Sequence, residues 1–147
     1  VAGQILIIPG GVKPPTPIYA TTRASSPALQ NLGNYFIKPT TGYISQRLHG
    51  YNGVDIAGGC WQPIYAAASG NIALSVGNGR WNGGFGNYVK ISHPNGTSTL
   101  YAHMIQTSVW QGQDVGQGQL IGYTGSTGRS TGCHLHWEVH GAKNPLS

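Results

Sequence analysis

A chain of 147 residues has room for one modest domain whose core can form unaided. Only 7% of its residues are charged and 39% are hydrophobic, and its 24 glycines follow no period of three, which excludes collagen and argues against disorder. The formal charge of +5 reflects a scarcity of acids, since Asp55, Asp114 and Glu138 are the only three. Lys13, Arg23, Lys38, Arg47, Lys90 and Arg129 stand singly, a pattern that suits weak attraction to an anionic surface and no specific nucleic-acid partner. No stretch has the length of a transmembrane segment or the pattern of a secretory signal. The chain opens on Val1 and so reads as a processed product or an excised fragment, and its two cysteines fit either one disulfide or two free thiols.

Residues 1–41 read as an N-terminal arm with a Pro-rich linker. Gly3 to Gly10 (GQILIIPG) is a short apolar strand ended by Pro and Gly, and Val12 to Pro17 (VKPPTP) is extended and polyproline-like. Gly3 to Pro9 also resembles the closing residues of a lysin-motif domain, a small peptidoglycan-binding module; it reads equally well as an arm packed on the main domain.

Residues 42–147 show short strands and tight turns, with no helical period, and predict an all-β domain built on an antiparallel sheet. Strands are expected at 43–48, after a turn from His49 up to Ala57, at 63–68, at 70–76 and at 120–124. Tyr88–His93 and Thr97–Ala102 form the clearest hairpin, with a primed two-residue turn expected at Asn95-Gly96. Residues 77–86 are a Gly/Asn/Trp loop, and 125–132 form a Gly/Ser/Thr loop that delivers the last strand. Asp114, in a Gly/Gln-rich stretch, is expected in a turn.

That last strand, Cys133 to His140 (CHLHWEVH), carries the chemistry. A period of two sends His134, His136, Glu138 and His140 to one face and Leu135, Trp137 and Val139 to a core face. Lining up half of the six histidines and one of the three acids is costly unless something binds there. Three segments supply metal-type donors: His49 with Asp55, His103, and His134 with His136. Two imidazoles and a carboxylate suit a catalytic Zn²⁺ that keeps a position for water, and two further histidines are what proton movement beside it requires.

Residues 42–146 resemble the lysostaphin-type zinc metallopeptidases, peptidoglycan endopeptidases with a short antiparallel sheet and long loops that form a substrate groove. The likeness lies in Gly53 to Ala57, Pro63 to Ala66, Gly86 to Val89, Leu100 to His103, Gly118 to Gly122 and Gly128 to Val139, in the family's order. It implies one Zn²⁺ per chain held by His49, Asp55 and His136. His103 and His134 would be the catalytic pair that activates water and stabilises the tetrahedral intermediate.

The family's early motif is His-x-x-x-Asp, whereas five residues separate His49 from Asp55 and Tyr51 occupies the usual ligand position. Phenolate suits zinc poorly at neutral pH, so His49 is retained. His93 is expected at the hairpin end and His140 exposed, with Glu138 a partner of a histidine or of Arg129. Cys60 follows Asp55 by five residues and Cys133 precedes His136 by three, so a disulfide between them is expected to pin the two ligand-bearing segments together.

The resemblance implies a monomer acting on peptidoglycan peptides in an extracytoplasmic setting. Two rivals differ in class. A cysteine nucleophile conflicts with Cys133 and His134 facing opposite ways, and an inactive member that binds cell wall or activates another hydrolase would be expected to have lost ligands.

Overall fold

The computed structural model describes residue 32 and residues 35–147, so the lysin-motif-like stretch and the Pro-rich tract lie outside the described residues. The strands are β1 Tyr43–His49, β2 Gly53–Ala57, β3 Pro63–Tyr65, β4 Gly70–Val76, β5 Asn87–Ser92, β6 Ser98–Thr107, β7 Asp114–Val115, β8 Leu120–Thr124 and β9 Leu135–His140. They form one sheet in the order β1-β2-β9-β6-β5-β4-β7, with β8 paired to β6 and β3 paired to β8. Every ladder is antiparallel, as the strand-and-turn spacing predicts. The described residues contain a single 3-10 turn, Asn82–Gly84, and no α-helix.

β9 lies between β2 and β6, and its alternation decides which face is core. Leu135, Trp137 and Val139 are fully buried with Val54, Ile56, Tyr101 and Met104. Truncating a buried Trp such as Trp137 costs about 3–5 kcal/mol, a large fraction of what holds a domain of this size together. Phe36 also enters this core, its ring 5.9 Å from that of Trp137, and Ile37 N–H donates to the carbonyl of Ala67.

Three local expectations are corrected. Asn95 does not take positive φ, so the hairpin closes through a three-residue connection, Pro94-Asn95-Gly96, with only Gly96 left-handed (φ 89°). The Asn95 side chain instead accepts bonds from the Thr97 N–H and hydroxyl. Asp114 belongs to β7, which pairs with Gly70 and Asn71, and accepts a bond from Asn71 Nδ2 at 2.9 Å. β3 ends at Tyr65, after which Ala66 and Ala67 bond outside any strand ladder, to Gln119, Ile37 and Tyr101.

β6 also runs beyond the expected Ala102, through a β-bulge. Asn87 pairs with Met104 and Val89 with Tyr101, so the single residue Tyr88 faces both Ala102 and His103. The extra residue lets Tyr101 and Met104 both enter the core, and His103 takes φ of 66°. Strict alternation would have sent His103 inward; the bulge re-aims it toward His134 and His136.

Candidate metal centre

The register β1-β2-β9-β6 brings the polar side chains of four strands to one place. Asp55 pairs with His136 across β2 and β9, and His136 pairs with Ala102, the neighbour of His103, across β9 and β6. His49 closes β1 opposite Gly53. The turn between them, with Gly50 and Asn52 both left-handed, absorbs the long spacing. Asn52 fastens this turn to the end of β9, its Nδ2 donating to the carbonyls of Val139 and Ala142 at 2.7 and 2.8 Å.

One ligand atom from each of His49, Asp55 and His136 lies within 4.8 Å of the others. His49 Nε2 is 3.2 Å and His136 Nδ1 2.8 Å from Asp55 Oδ1. The opposite edge of each ring is committed elsewhere. His49 Nδ1 is 2.7 Å from the carbonyl of Arg47, and His136 Nε2 is 2.8 Å from Glu138 Oε2. The Arg47 carbonyl takes the Nδ1 proton of His49 and leaves its lone pair on Nε2; both nitrogens of His136 face carboxylates, and its Nδ1 offers a lone pair once the proton shared with Asp55 has left. Two such lone pairs and a carboxylate oxygen fit a small divalent cation, and zinc above all. Tyr51, at the family's usual ligand position, turns away and stacks on His140, with ring centroids 4.3 Å apart.

His103 and His134 flank this set with ring centroids 4.9 Å apart. His103 Nδ1 donates to the carbonyl of Thr127 at 2.8 Å, and His134 Nδ1 to that of Gly132 at 3.0 Å with Ser130 Oγ beside it. His134 Nε2 lies 3.4 Å from Asp55 Oδ2. The loop that supplies these carbonyls is itself tied down. Thr127 Oγ1 accepts from Asn87 N–H and donates to the carbonyl of Met104, and Arg129 N–H donates to Gly84. Gly86 and Gly128, both at positive φ, pack backbone on backbone where no side chain would fit.

Burial pushes the pKa of His103 down to about 4, with His134 and His136 adding to the shift, so the ring is neutral at pH 7. For His136 burial also opposes charge, but hydrogen bonds to Asp55 and Glu138, with their charges, raise its pKa to about 9. Burial resists ionisation of Asp55, yet His136, His134 and His49 hold its carboxyl below the usual range. The same balance, set by His136 and His140, keeps Glu138 low.

Every residue named from the sequence for the site is thus found together, and Cys60 and Cys133 form the expected disulfide. His93 lies elsewhere, buried at the hairpin between Ser69 and Thr99. His140, expected to be exposed, is instead half-buried, its Nε2 2.8 Å from Glu138 Oε1 under the Tyr51 ring. Glu138 serves two histidines, and Arg129 lies over Trp81. Thr127, Gly132 and Arg47 escaped notice because they act through backbone carbonyls, on which side-chain spacing is silent.

The family model described as "Peptidase family M23" matches residues 49–147. The chain is 41% identical over 145 residues to the "DD-carboxypeptidase/endopeptidase Mpg" of Neisseria meningitidis serogroup B, covering 99% of this chain and 30% of that protein. It is 38% identical over 96 residues to the "Peptidoglycan DD-endopeptidase ShyA" of Vibrio cholerae, covering 65% of this chain and 21% of that one. The chain therefore spans less than a third of the length of these relatives. Among solved structures, the catalytic domain of the antimicrobial peptidase lysostaphin from Staphylococcus simulans superposes with a TM-score of 0.57 at 30% identity, over 78% of this chain and 86% of that one. The matched residues carry all five side chains, from His49 on β1 to His136 on β9, and the chain belongs to peptidase family M23.

Proposed function

We propose that the chain is a zinc-dependent endopeptidase that hydrolyses peptide bonds in the stems or cross-bridges of peptidoglycan. The observation that carries this reading is the convergence of His49, Asp55 and His136 beside a second pair of imidazoles, in a chain of a zinc-dependent peptidase family. His49 Nε2, Asp55 and His136 Nδ1 would hold the ion. When bound, it polarises the scissile carbonyl and lowers the pKa of a water molecule.

The remaining work falls to His103 and His134. Neutral at pH 7 and held by Thr127 through Nδ1, His103 offers Nε2 to take a proton from the attacking water. The cause that keeps it neutral, burial, then makes the imidazolium a strong acid, ready to pass the proton to the departing amine. His134, oriented by Gly132 and Ser130, lies on the same face, where the ring with a proton on Nε2 as well would donate it to the oxyanion.

Residues 42–147 would carry the activity, preceded by the 1–41 arm, in a monomer working outside the cytoplasm. The disulfide supports an oxidising compartment. Among the described residues no helix is long and apolar enough to cross a membrane. Digestion of purified peptidoglycans of several cross-link types, with mass spectrometry of the released muropeptides, tests the reading. New amino and carboxyl termini in the peptides are expected; cleavage confined to sugar linkages would refute it.

A further inference from the structure

Glu138 and His140 have no part in these roles, although both sit on the site face. Glu138 is 3% exposed, and an isolated carboxylate at that depth is too costly to keep without partners. Its partners are two imidazoles: Oε2 lies 2.8 Å from His136 Nε2, and Oε1 lies 2.8 Å from His140 Nε2. The Tyr51 ring, inclined by 29°, stacks on the outer side of His140.

The backbone opposite is shaped to admit this arrangement. Gly53 pairs with Glu138 across β2 and β9, and a Cβ there would lie 2.6 Å from His136 Cε1 and 3.0 Å from Glu138 Cγ. Any side chain at Gly53 would drive the ring and the carboxylate apart.

A carboxylate only accepts, so His136 Nε2 must donate to it. Nδ1 likewise faces a carboxylate, Asp55 Oδ1 at 2.8 Å, but Asp55 belongs to the candidate ligand set, so it is the Nδ1 proton that must leave for a metal to bind, while Glu138 keeps the one on Nε2. We propose that Glu138 is a positioning residue that holds His136 as its Nε2–H tautomer and so selects Nδ1 as the nitrogen offered to the metal. His140, braced by Tyr51, holds the second oxygen of Glu138 and fixes the plane of the carboxylate. This rests on the proposed zinc site and adds to it a residue that touches neither metal nor substrate.

The test is spectroscopic and uses the wild-type chain loaded with zinc. In long-range ¹⁵N–¹H correlation spectra, His136 is expected to show a protonated Nε2 and a metal-bound Nδ1; the reverse assignment overturns the proposal. Glu138→Gln is expected to weaken zinc affinity by about 10- to 100-fold in competition with a fluorescent chelator, while keeping near-UV circular dichroism. Affinity equal to wild type in that folded variant also overturns the proposal, and if the variant does not fold, the wild-type spectrum decides. A wild-type chain that binds zinc and cleaves peptide with Nδ1 protonated sinks this proposal alone, whereas one that takes up no zinc sinks the zinc reading with it.

Discussion

The Nδ1 of His103 lies 2.8 Å from the carbonyl oxygen of Thr127, and the residue that makes this bond sits at φ of 66° in the bulge of β6. Such backbone costs a residue other than Gly on the order of 1–3 kcal/mol, least for Asn and most for a β-branched side chain. His103→Asn is therefore expected to fold and bind zinc as wild type does, and to lose at least about 100-fold in turnover. His103→Val should lower the unfolding midpoint as well. Zinc content, melting temperature and rate for the two variants together separate loss of the proton carrier from loss of the bulge.

The three proposed ligands should behave as a set. His49→Ala, Asp55→Ala and His136→Ala are each expected to weaken zinc affinity by more than about 100-fold, beyond what loss of a hydrogen-bond partner causes. Tyr51→Phe should keep its zinc, because the ring stacks on His140 and its hydroxyl has no ligand role. Metal analysis of the four purified variants checks this, and full zinc in His49→Ala would contradict the assignment.

Cys60 and Cys133 close a loop with a sequence separation of 73. Constraining the unfolded chain over that length stabilises the fold by on the order of 4 kcal/mol. The Cys60→Ser/Cys133→Ser chain should unfold at clearly lower urea concentration than the oxidised wild type, and reductant should shift the wild type but not the variant. Native bonds from Trp61 N–H and Gln62 N–H to Thr124 keep the segment near its place, so the variant is expected to fold.

Much of the fold and the site was legible in the residues, and what was not has a physical reason. The period of two in β9 announced both its faces, because side chains on a strand alternate whatever its neighbours do. His103 is the opposite case. Alternation along β6 would aim it into the apolar core, and only the one-for-two register opposite Tyr88, a property of the pairing with β5, turns it to the site. Asn95-Gly96 looked like a two-residue turn because its composition permits one. The neighbouring Thr97 captured the Asn95 side chain instead. His140 ends its strand, where exposure is the ordinary outcome, but Glu138 and Tyr51 enclose it.

Away from the site, His93 is buried between Ser69 and Thr99, with the rings of Tyr35 and Phe36 against it. Burial lowers its pKa, although the Ser69 carbonyl opposes the shift. Unfolded, the residue ionises near its ordinary value of about 6.5. As pH falls through that value, the unfolded chain takes up a proton that the folded chain does not, and stability is lost until the folded pKa is reached. With chelator present throughout, the drop in melting temperature between about pH 7.5 and about pH 5.5 should be smaller in His93→Gln than in wild type. Equal drops would show that His93 contributes nothing to acid sensitivity.

In this chain peptide cleavage is proposed to depend on zinc held by His49, Asp55 and His136. Zinc titrated into chelator-stripped protein, while cleavage of a purified cross-linked muropeptide dimer is monitored, tests it most directly. Cleavage is expected to be absent at the start, to rise in proportion to added zinc and to level off at one ion per chain, with the glycan intact. Cleavage by the stripped chain, or full zinc uptake without any peptide cleaved, would contradict the account.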